Sequence, residues 1–129
     1  MRIGLASDQL RFEHKGPLKA RVTRQGHAGE DLSAEQAGEY PAITDQLASA
    51  IRRGYLERGG LIRSGAKGAS VLANKQRGVR PALCHDLYSA QHGVQDDNLN
   101  LLVTGACVVE PELACELADA FLQASYASR

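Results

Sequence analysis

Short apolar runs alternate along this chain with stretches whose apolar residues recur at helical spacing. The runs predict five buried strands, over residues 2–7, 30–32, 60–62, 79–84 and 101–104. The intervening pattern predicts helices over 16–25, 41–53, 69–76 and 87–95, and a last helix from 111 onward. Regular alternation of strands and helices indicates one α/β domain, residues 1–129, with a parallel sheet covered by helices on both faces.

Proline and glycine mark the predicted boundaries. We expect Pro17 and Pro111 only in the first turns of their helices, because proline lacks the N–H that later turns require. Gly26 and Gly54 are suited to end helices, and Pro81 partly interrupts the fourth strand. Residues 33–40 are polar and predict a loop. The last helix is expected to bury Leu113, Leu117 and Phe121.

Polar residues follow most of the predicted strands. Ligands of open parallel sheets bind beyond the carboxyl ends of the strands, so these residues are expected to be neighbours. They are Asp8 and Gln9 after the first strand, residues 63–68 after the third, His85 and Asp86 after the fourth, and residues 105–106 after the fifth.

The stretch at residues 59–75, GGLIRSGAKGASVLANK, combines a strand, a glycine-punctuated loop and a helix. Backbone N–H groups and the positive end of a helix would then meet at one point, which favours a phosphate or another anion. Candidate anion-binding residues are Arg63, Ser64, Gly65, Lys67 and Gly68. The loop matches neither GxxxxGK[ST] nor GxGxxG, so a tight strand-to-helix turn explains it equally well.

Charge is balanced overall but uneven along the chain. Fifteen Lys and Arg offset fifteen Asp and Glu, which argues against nucleic acid as the main partner. Residues 52–80 carry a net charge of +7, whereas residues 81–129 carry −6. A solvated surface with interleaved charges accounts for this, as does a positive field around the loop that concentrates a small anion.

Cysteine spacing and hydropathy limit the class of protein. Cys84, Cys107 and Cys115 form no CxxC or His/Cys pattern, so we expect free thiols, no metal site and no cofactor. The apolar run at the N-terminus is too short for a signal peptide, and no stretch approaches the roughly 20 apolar residues of a membrane span. A cytoplasmic protein without a membrane segment is the expectation.

Two residues are candidates for acid–base chemistry. Asp8 could accept substrate hydroxyls or act as a base, although a turn or N-cap role suits it too. His85 could act as an acid or base near neutral pH, or be a hydrogen-bonded structural histidine beside Asp86. Asp96 and Asp97 are most simply explained as a helix-ending turn.

Three segments resemble the type B ribose-5-phosphate isomerases and the galactose-6-phosphate isomerase subunits. They are RIGLASDQLRFEHK near the start, GLIRSGAKGASVLANKQRGVRPALCHDLYSAQ in the middle, and VTGACVVEPELACELADAFLQASY at the end. The resemblance covers nearly the whole chain. It implies a Rossmann-like three-layer α/β/α subunit with a five-stranded parallel sheet, and a dimer or higher oligomer whose sites use both chains. It also implies aldose–ketose isomerisation through an enediol, without metal or nucleotide.

The resemblance also implies which site residues have changed. Arg63 stands where the family carries a cysteine base, and Ala69 where a variant motif carries glutamate. Gly65 replaces a Thr or Ser, and Gln9 replaces a histidine after Asp8. Further departures concern the family's ring-opening His-Asn pair, its Arg after the fifth strand and its two C-terminal arginines. Their counterparts here are Asp96 and Asp97, Cys107, and Arg129 alone.

Asp8, Tyr40, Gly68 and Ser70 keep the family pattern, and the tyrosine of the family's Tyr-Pro pair faces the substrate. Three functions remain open. The chain is an isomerase of a small anionic sugar with a rewired site, in which Asp8 or His85 moves the proton. Alternatively it is an impaired partner subunit, completed by a paralogue in a hetero-oligomer as in galactose-6-phosphate isomerase, or a non-catalytic anion-binding regulator.

Overall fold

The computed structural model describes residues 1–7, 12–32, 40–63, 77–105 and 109–126. Its strands are β1 (Arg2–Ser7), β2 (Ala28–Asp31), β3 (Arg58–Arg63), β4 (Pro81–Leu83) and β5 (Leu101–Gly105). The helices within those ranges are α1 (Phe12–Arg24), α2 (Tyr40–Arg52), α3 (Leu87–Asp97) and α4 (Pro111–Gln123).

The five strands form one parallel sheet in the order β2-β1-β3-β5-β4. This confirms the predicted five-stranded parallel sheet. Strand order reverses at β1, since β2 lies on one side of it and β3 on the other. The edge between β1 and β3 is therefore a switch point of the kind where open α/β sheets bind ligands.

Helices cover both faces of the sheet, which confirms the three-layer α/β/α architecture. On one face α4 packs against both α1 and α3, over a core that includes Ile3, Ile62 and Phe121. On the other face α2 packs against β1 and β3, over a smaller core that includes Leu47 and Leu61. Successive residues of β3 thus enter different cores, as the two-residue period of a strand requires.

The first helix starts earlier than its sequence predicts. It begins at Phe12, so Pro17 lies inside the helix and not in its first turn. The expectation that proline would start the helix was therefore wrong. Leu18 and Val22 of the same helix are almost fully buried in the core, and this packing outweighs the hydrogen bond that proline cannot make.

Pairing with neighbouring strands determines where β2 and β3 begin and end. Backbone pairing with β1 places β2 at Ala28–Asp31, two residues before the predicted start, because Ala28 N donates to Met1 O at 2.9 Å. Strand β3 extends beyond the predicted 60–62 at both ends, pairing with β1 from Arg58 and with β5 up to Arg63. The predicted helix at 69–76 lies outside the described residues.

The fourth strand is shorter than predicted and starts at Pro81 on the edge of the sheet. Proline is tolerated there because an edge strand has an unpaired side. The buried side chain of Asn100 fixes the approach to this strand: its Oδ1 accepts from Arg80 N at 2.7 Å, and its Nδ2 donates to Gly78 O at 3.0 Å.

The last helix starts at Pro111, as predicted. The face predicted to be buried is confirmed, except that one of its residues is less buried than expected. Leu117 and Phe121 are almost fully buried. Leu113 is only partly buried and packs at the margin of the same core.

Gly4 in β1 lies where the side chains of Leu47 in α2 and of Leu56, between α2 and β3, leave no room for a Cβ. A Cβ added there would overlap Leu56 Cδ1 and lie 2.8 Å from Leu47 Cδ1. Both leucines are buried, so neither can swing into solvent to make space.

We predict that Gly4→Ala lowers the free energy of unfolding by about 1–3 kcal/mol, because overpacking forces displacement in a close-packed core. Urea unfolding followed by far-UV circular dichroism measures this. The matched control is Gly16→Ala in α1, where no atom lies within 4 Å of the added Cβ; it should be neutral or stabilising by up to about 1 kcal/mol. Equal stability of Gly4→Ala and the unmodified chain would contradict the packing described.

Candidate functional site

The carboxyl ends of three neighbouring strands meet at the centre of one sheet edge. Ser7 ends β1 and is paired in register with Ile62, and Arg63 ends β3 and is paired with Gly105 of β5. This register brings residues that are far apart in sequence to adjacent positions. The edge is therefore the candidate functional site, as the positions of polar residues predict.

Arg63 places a positive charge at the centre of this edge. It is the last residue of β3 and is half-buried, on the same side of the sheet as Leu61. A guanidinium group stays protonated at any ordinary pH, so Arg63 cannot accept a substrate proton. It can bind a carboxylate, a phosphate or a developing enediolate oxygen.

His85 lies at the same edge and joins the ends of two strands. It is half-buried, two residues after the end of β4, and its Nε2 accepts a hydrogen bond from Gly105 N at 3.1 Å. Because Gly105 is the register partner of Arg63, His85 and Arg63 are both tied to one residue. The predicted structural role of His85 thus has a definite partner, which is a backbone N–H of β5 and not Asp86.

Asp86 is the N-cap of α3. Its Oδ1 accepts from Ser89 N at 2.7 Å and its Oδ2 from Ser89 Oγ at 2.8 Å. The pKa of the Asp86 carboxyl is held below its usual range mainly by the hydrogen bond from the Ser89 backbone N–H and next by the bond from the Ser89 hydroxyl. His85 makes a smaller contribution in the same direction. Asp86 therefore fixes the direction in which the chain leaves the site.

Asp96 and Asp97 lie at the other end of the sheet. They are the last residues of α3, whose 11 residues run from the carboxyl end of the strands back towards the amino end. At about 1.5 Å per residue, the helix separates them from Asp86 by roughly 15 Å. Asn98 caps the helix, and its carbonyl accepts from Arg80, just before β4 begins. Within one chain they do not join Arg63 and His85.

Most other predicted site residues lie outside the described residues. These are Asp8, Gln9, Ser64, Gly65, Lys67, Gly68 and Arg129. Tyr40 is described only as the first residue of α2, and not for its side chain. In sequence, Asp8 directly follows Ser7 and Ser64 directly follows Arg63.

Two buried polar residues at the edge were not singled out from the sequence. Ser7 ends β1 and Thr104 lies one residue before the end of β5, and both are at most 3% exposed. Thr104 Oγ1 donates to Cys84 O at 3.5 Å. The signal was a hydroxyl at the end of an otherwise apolar strand, which is also where ordinary strand-ending residues occur.

Metal-ligating side chains do not cluster in the described part of the chain. No group of three or more His, Cys, Asp or Glu is close enough together there to hold a metal ion. In the same residues, no helix is long and apolar enough to cross a membrane.

The profile of the ribose/galactose isomerase family matches residues 3–129. This chain belongs to the ribose/galactose isomerase family. The match covers the elements described above except the first residue of β1, and it confirms the resemblance seen in the three sequence segments.

Relatives and a solved structure agree with this family. A D-erythrulose-4-phosphate isomerase of Pectobacterium atrosepticum is 35% identical over 127 residues, covering 96% of this chain and 84% of the relative. A 4-deoxy-4-sulfo-D-erythrose isomerase of a Clostridium species is 30% identical, covering 98% and 81%. Ribose-5-phosphate isomerase B of Clostridium thermocellum superimposes with a TM-score of 0.92 at 28% identity, covering 100% and 88%. The last match confirms the Rossmann-like fold.

Cys84 is buried in the core, directly before His85 in the chain. Burial raises the pKa of its thiol to about 11, and the carboxylate of Asp86 adds to the rise. Burial also raises the pKa of Cys115 in α4. A thiol held in its protonated form is a poor nucleophile.

We therefore predict that iodoacetamide at pH 7.5 leaves Cys84 unmodified in the native protein. Mass-spectrometric peptide mapping measures this, and the same protein unfolded in urea is the control, in which Cys84 should react fully. Ready alkylation of Cys84 in the native state would show a reactive thiol beside the site.

Proposed function

We propose that this chain is an aldose–ketose isomerase for a small anionic sugar, acting through an enediol without metal, with a rearranged set of site residues. Membership of the ribose/galactose isomerase family supports the reaction type. The observation that carries the rearrangement is Arg63, a cation at the end of the central strand, paired with Gly105.

The anionic group of the substrate is the part most directly supported. Similar proteins are named for a four-carbon phosphate, a four-carbon sulfonate and a five-carbon phosphate. Phosphate and sulfonate share a compact anionic head with several acceptor oxygens, which suits Arg63, Lys67 and the backbone N–H groups of a glycine-rich loop. We propose that the substrate is a sugar of four or five carbons with such an anionic group. We also propose that ribose phosphates are poor substrates.

Proton transfer is assigned to Asp8 in preference to His85. The reaction removes a proton from the carbon next to the carbonyl and returns it to the former carbonyl carbon, with an enediolate between the two steps. His85 Nε2 already accepts a bond from Gly105, so that lone pair is not available to a substrate. Asp8 follows Ser7, which pairs with the residue before Arg63.

The remaining residues have binding roles in this proposal. Arg63 stabilises the enediolate oxygen or holds the anionic head, with Lys67 and the loop residues Ser64, Gly65 and Gly68. Gln9 and Tyr40 hydrogen-bond sugar hydroxyls.

A second chain contributes the residues that one subunit cannot. Asp96 and Asp97 lie at the far end of α3 from Arg63, so they contact a substrate only if they belong to a partner subunit. We propose a cytoplasmic oligomer, at least a dimer, in which Asp96, Asp97 and Arg129 of one chain complete the site of another.

An impaired partner subunit is the second candidate. The same cation at Arg63 favours it, because an arginine cannot replace a base. In that case a paralogue with an intact base supplies the chemistry, and this chain supplies scaffold and anion contacts. Native mass spectrometry separates the two: a homo-oligomer that turns substrate over unaided contradicts the partner-subunit function.

Solvent deuterium exchange tests the isomerase directly. The purified chain is incubated in D₂O with four- and five-carbon sugar phosphates, the four-carbon sulfonate and uronates, and NMR follows loss of the exchangeable C–H. We predict exchange in at least one four-carbon anionic sugar and little in ribose 5-phosphate. If the purified chain, assembled only with copies of itself, catalyses exchange in no sugar of the panel, the proposal is contradicted.

Variants assign the roles in the same assay. Asp8→Asn should lower the exchange rate by about 10²–10⁴-fold, since it removes the proton acceptor. Arg63→Met should lower it by about 10²–10³-fold, as loss of an oxyanion donor does. Arg77→Met, an exposed arginine before β4 at the amino end of the sheet, is the matched control and should be unchanged. Arg63→Cys alone should not restore ribose 5-phosphate activity, because Gln9, Asp96 and Cys107 also depart from the family pattern.

A further inference from the structure

The hydrogen bond between Gly105 and His85 determines which nitrogen of the imidazole carries the proton. The donor is a backbone N–H, so Nε2 must be the acceptor and must be unprotonated. Neutral His85 then has its proton on Nδ1. Protonation of Nε2 would turn this acceptor into a donor facing another donor, and the bond would break.

The backbone on both sides of His85 is held in place. Cys84 N donates to Val103 O at 3.0 Å, and Thr104 Oγ1 donates to Cys84 O at 3.5 Å. On the other side Asp86 is bonded to Ser89 at the start of α3. The backbone that carries the imidazole is therefore held by hydrogen bonds on both sides, and the ring contacts Gly105 from a fixed position.

Gly105 in turn connects two parts of the candidate site. Its register partner on β3 is Arg63, and its carbonyl accepts from the N–H of Val109, two residues before α4, at 3.1 Å. The N–H of Gly105 is bonded to His85 and its C=O to Val109. His85 therefore anchors Gly105 at the end of β5, and the same residue is bonded to Val109 ahead of α4.

From this geometry we propose that His85 is a positioning residue: its neutral Nδ1–H tautomer holds Gly105 beside Arg63, and protonation of His85 releases Gly105. The charged residues next to these anchoring residues, in the chain or in the sheet register, are Asp86 beside His85, Arg63 opposite Gly105 and Glu110 after Val109. The effect on catalysis rests on the proposed function, whereas the tautomer and the anchoring do not.

Substrate-free NMR tests the anchoring on the complete chain. Long-range ¹H–¹⁵N correlation spectra should show the Nδ1–H tautomer at His85, and the Gly105 amide resonance should shift along the titration curve of His85. The Nε2–H tautomer, or a Gly105 amide that does not follow the titration, would overturn the proposal. Because the unmodified protein is measured, the result does not depend on a variant folding or on a substrate being known.

Two substitutions separate positioning from simple structural support. His85→Gln can present an acceptor oxygen to Gly105 but cannot titrate, whereas His85→Leu presents no acceptor. On the sugar found by deuterium exchange, His85→Leu should lower kcat by about 10²-fold, as a misplaced site does. His85→Gln should restore most of that loss, because its side-chain oxygen can accept the Gly105 N–H.

Equal losses in the two variants would contradict the positioning role. If no sugar is turned over, the isomerase proposal fails. The tautomer and the Gly105 amide shift still decide the anchoring.

Discussion

The parallel register of β3 between β1 and β5 is the constraint on which the rest of this structure depends. Pairing of Ile62 with Ser7 and of Arg63 with Gly105 brings three chain segments to one edge. A shift of one residue would move Arg63 to the other side of the sheet, because the side-chain period of a strand is two. Tight packing protects the register: Leu61 is fully buried on the α2 side and Ile62 almost so on the opposite side. Burial in the two cores thus fixes the position of a half-buried cation.

That cation limits the chemistry of the site. A thiol or carboxylate at the end of β3 could accept a proton, whereas a guanidinium cannot. In the proposed isomerisation the proton acceptor is therefore on another segment, and Asp8, which follows β1 in sequence, is the proposed acceptor. The cation in return offers a fixed donor for an anionic head or an enediolate, which stabilises charge without moving a proton. His85 agrees with this assignment of roles, because its bond to Gly105 occupies Nε2, the nitrogen whose lone pair would have to accept a substrate proton.

Hydrophobic periodicity was enough to predict the sheet, its parallel strands and the layers, because buried strands and amphipathic helices have distinct periods. It could not place the boundaries that depend on partners distant in sequence. Ala28 joins β2 because it pairs near Met1, and Pro17 stays in α1 because Leu18 and Val22 are buried. At the site, the rule that ligands of parallel sheets bind beyond the carboxyl ends of the strands correctly placed Arg63 and His85 at one edge. It could not show that His85 contacts a backbone N–H, nor that α3 carries Asp96 away, since both depend on three-dimensional packing.

The most direct test of the central role of Arg63 is its own resonance. The ¹⁵Nε–¹Hε signal of Arg63 can be followed by NMR while D-erythrose 4-phosphate is added to the protein. If Arg63 binds the anionic sugar, this signal and the amide of Gly105 shift together with one dissociation constant, and Arg77 at the opposite end of the sheet stays unchanged. Shifts confined to arginines at that opposite end, with Arg63 unaffected at saturation, would contradict the account.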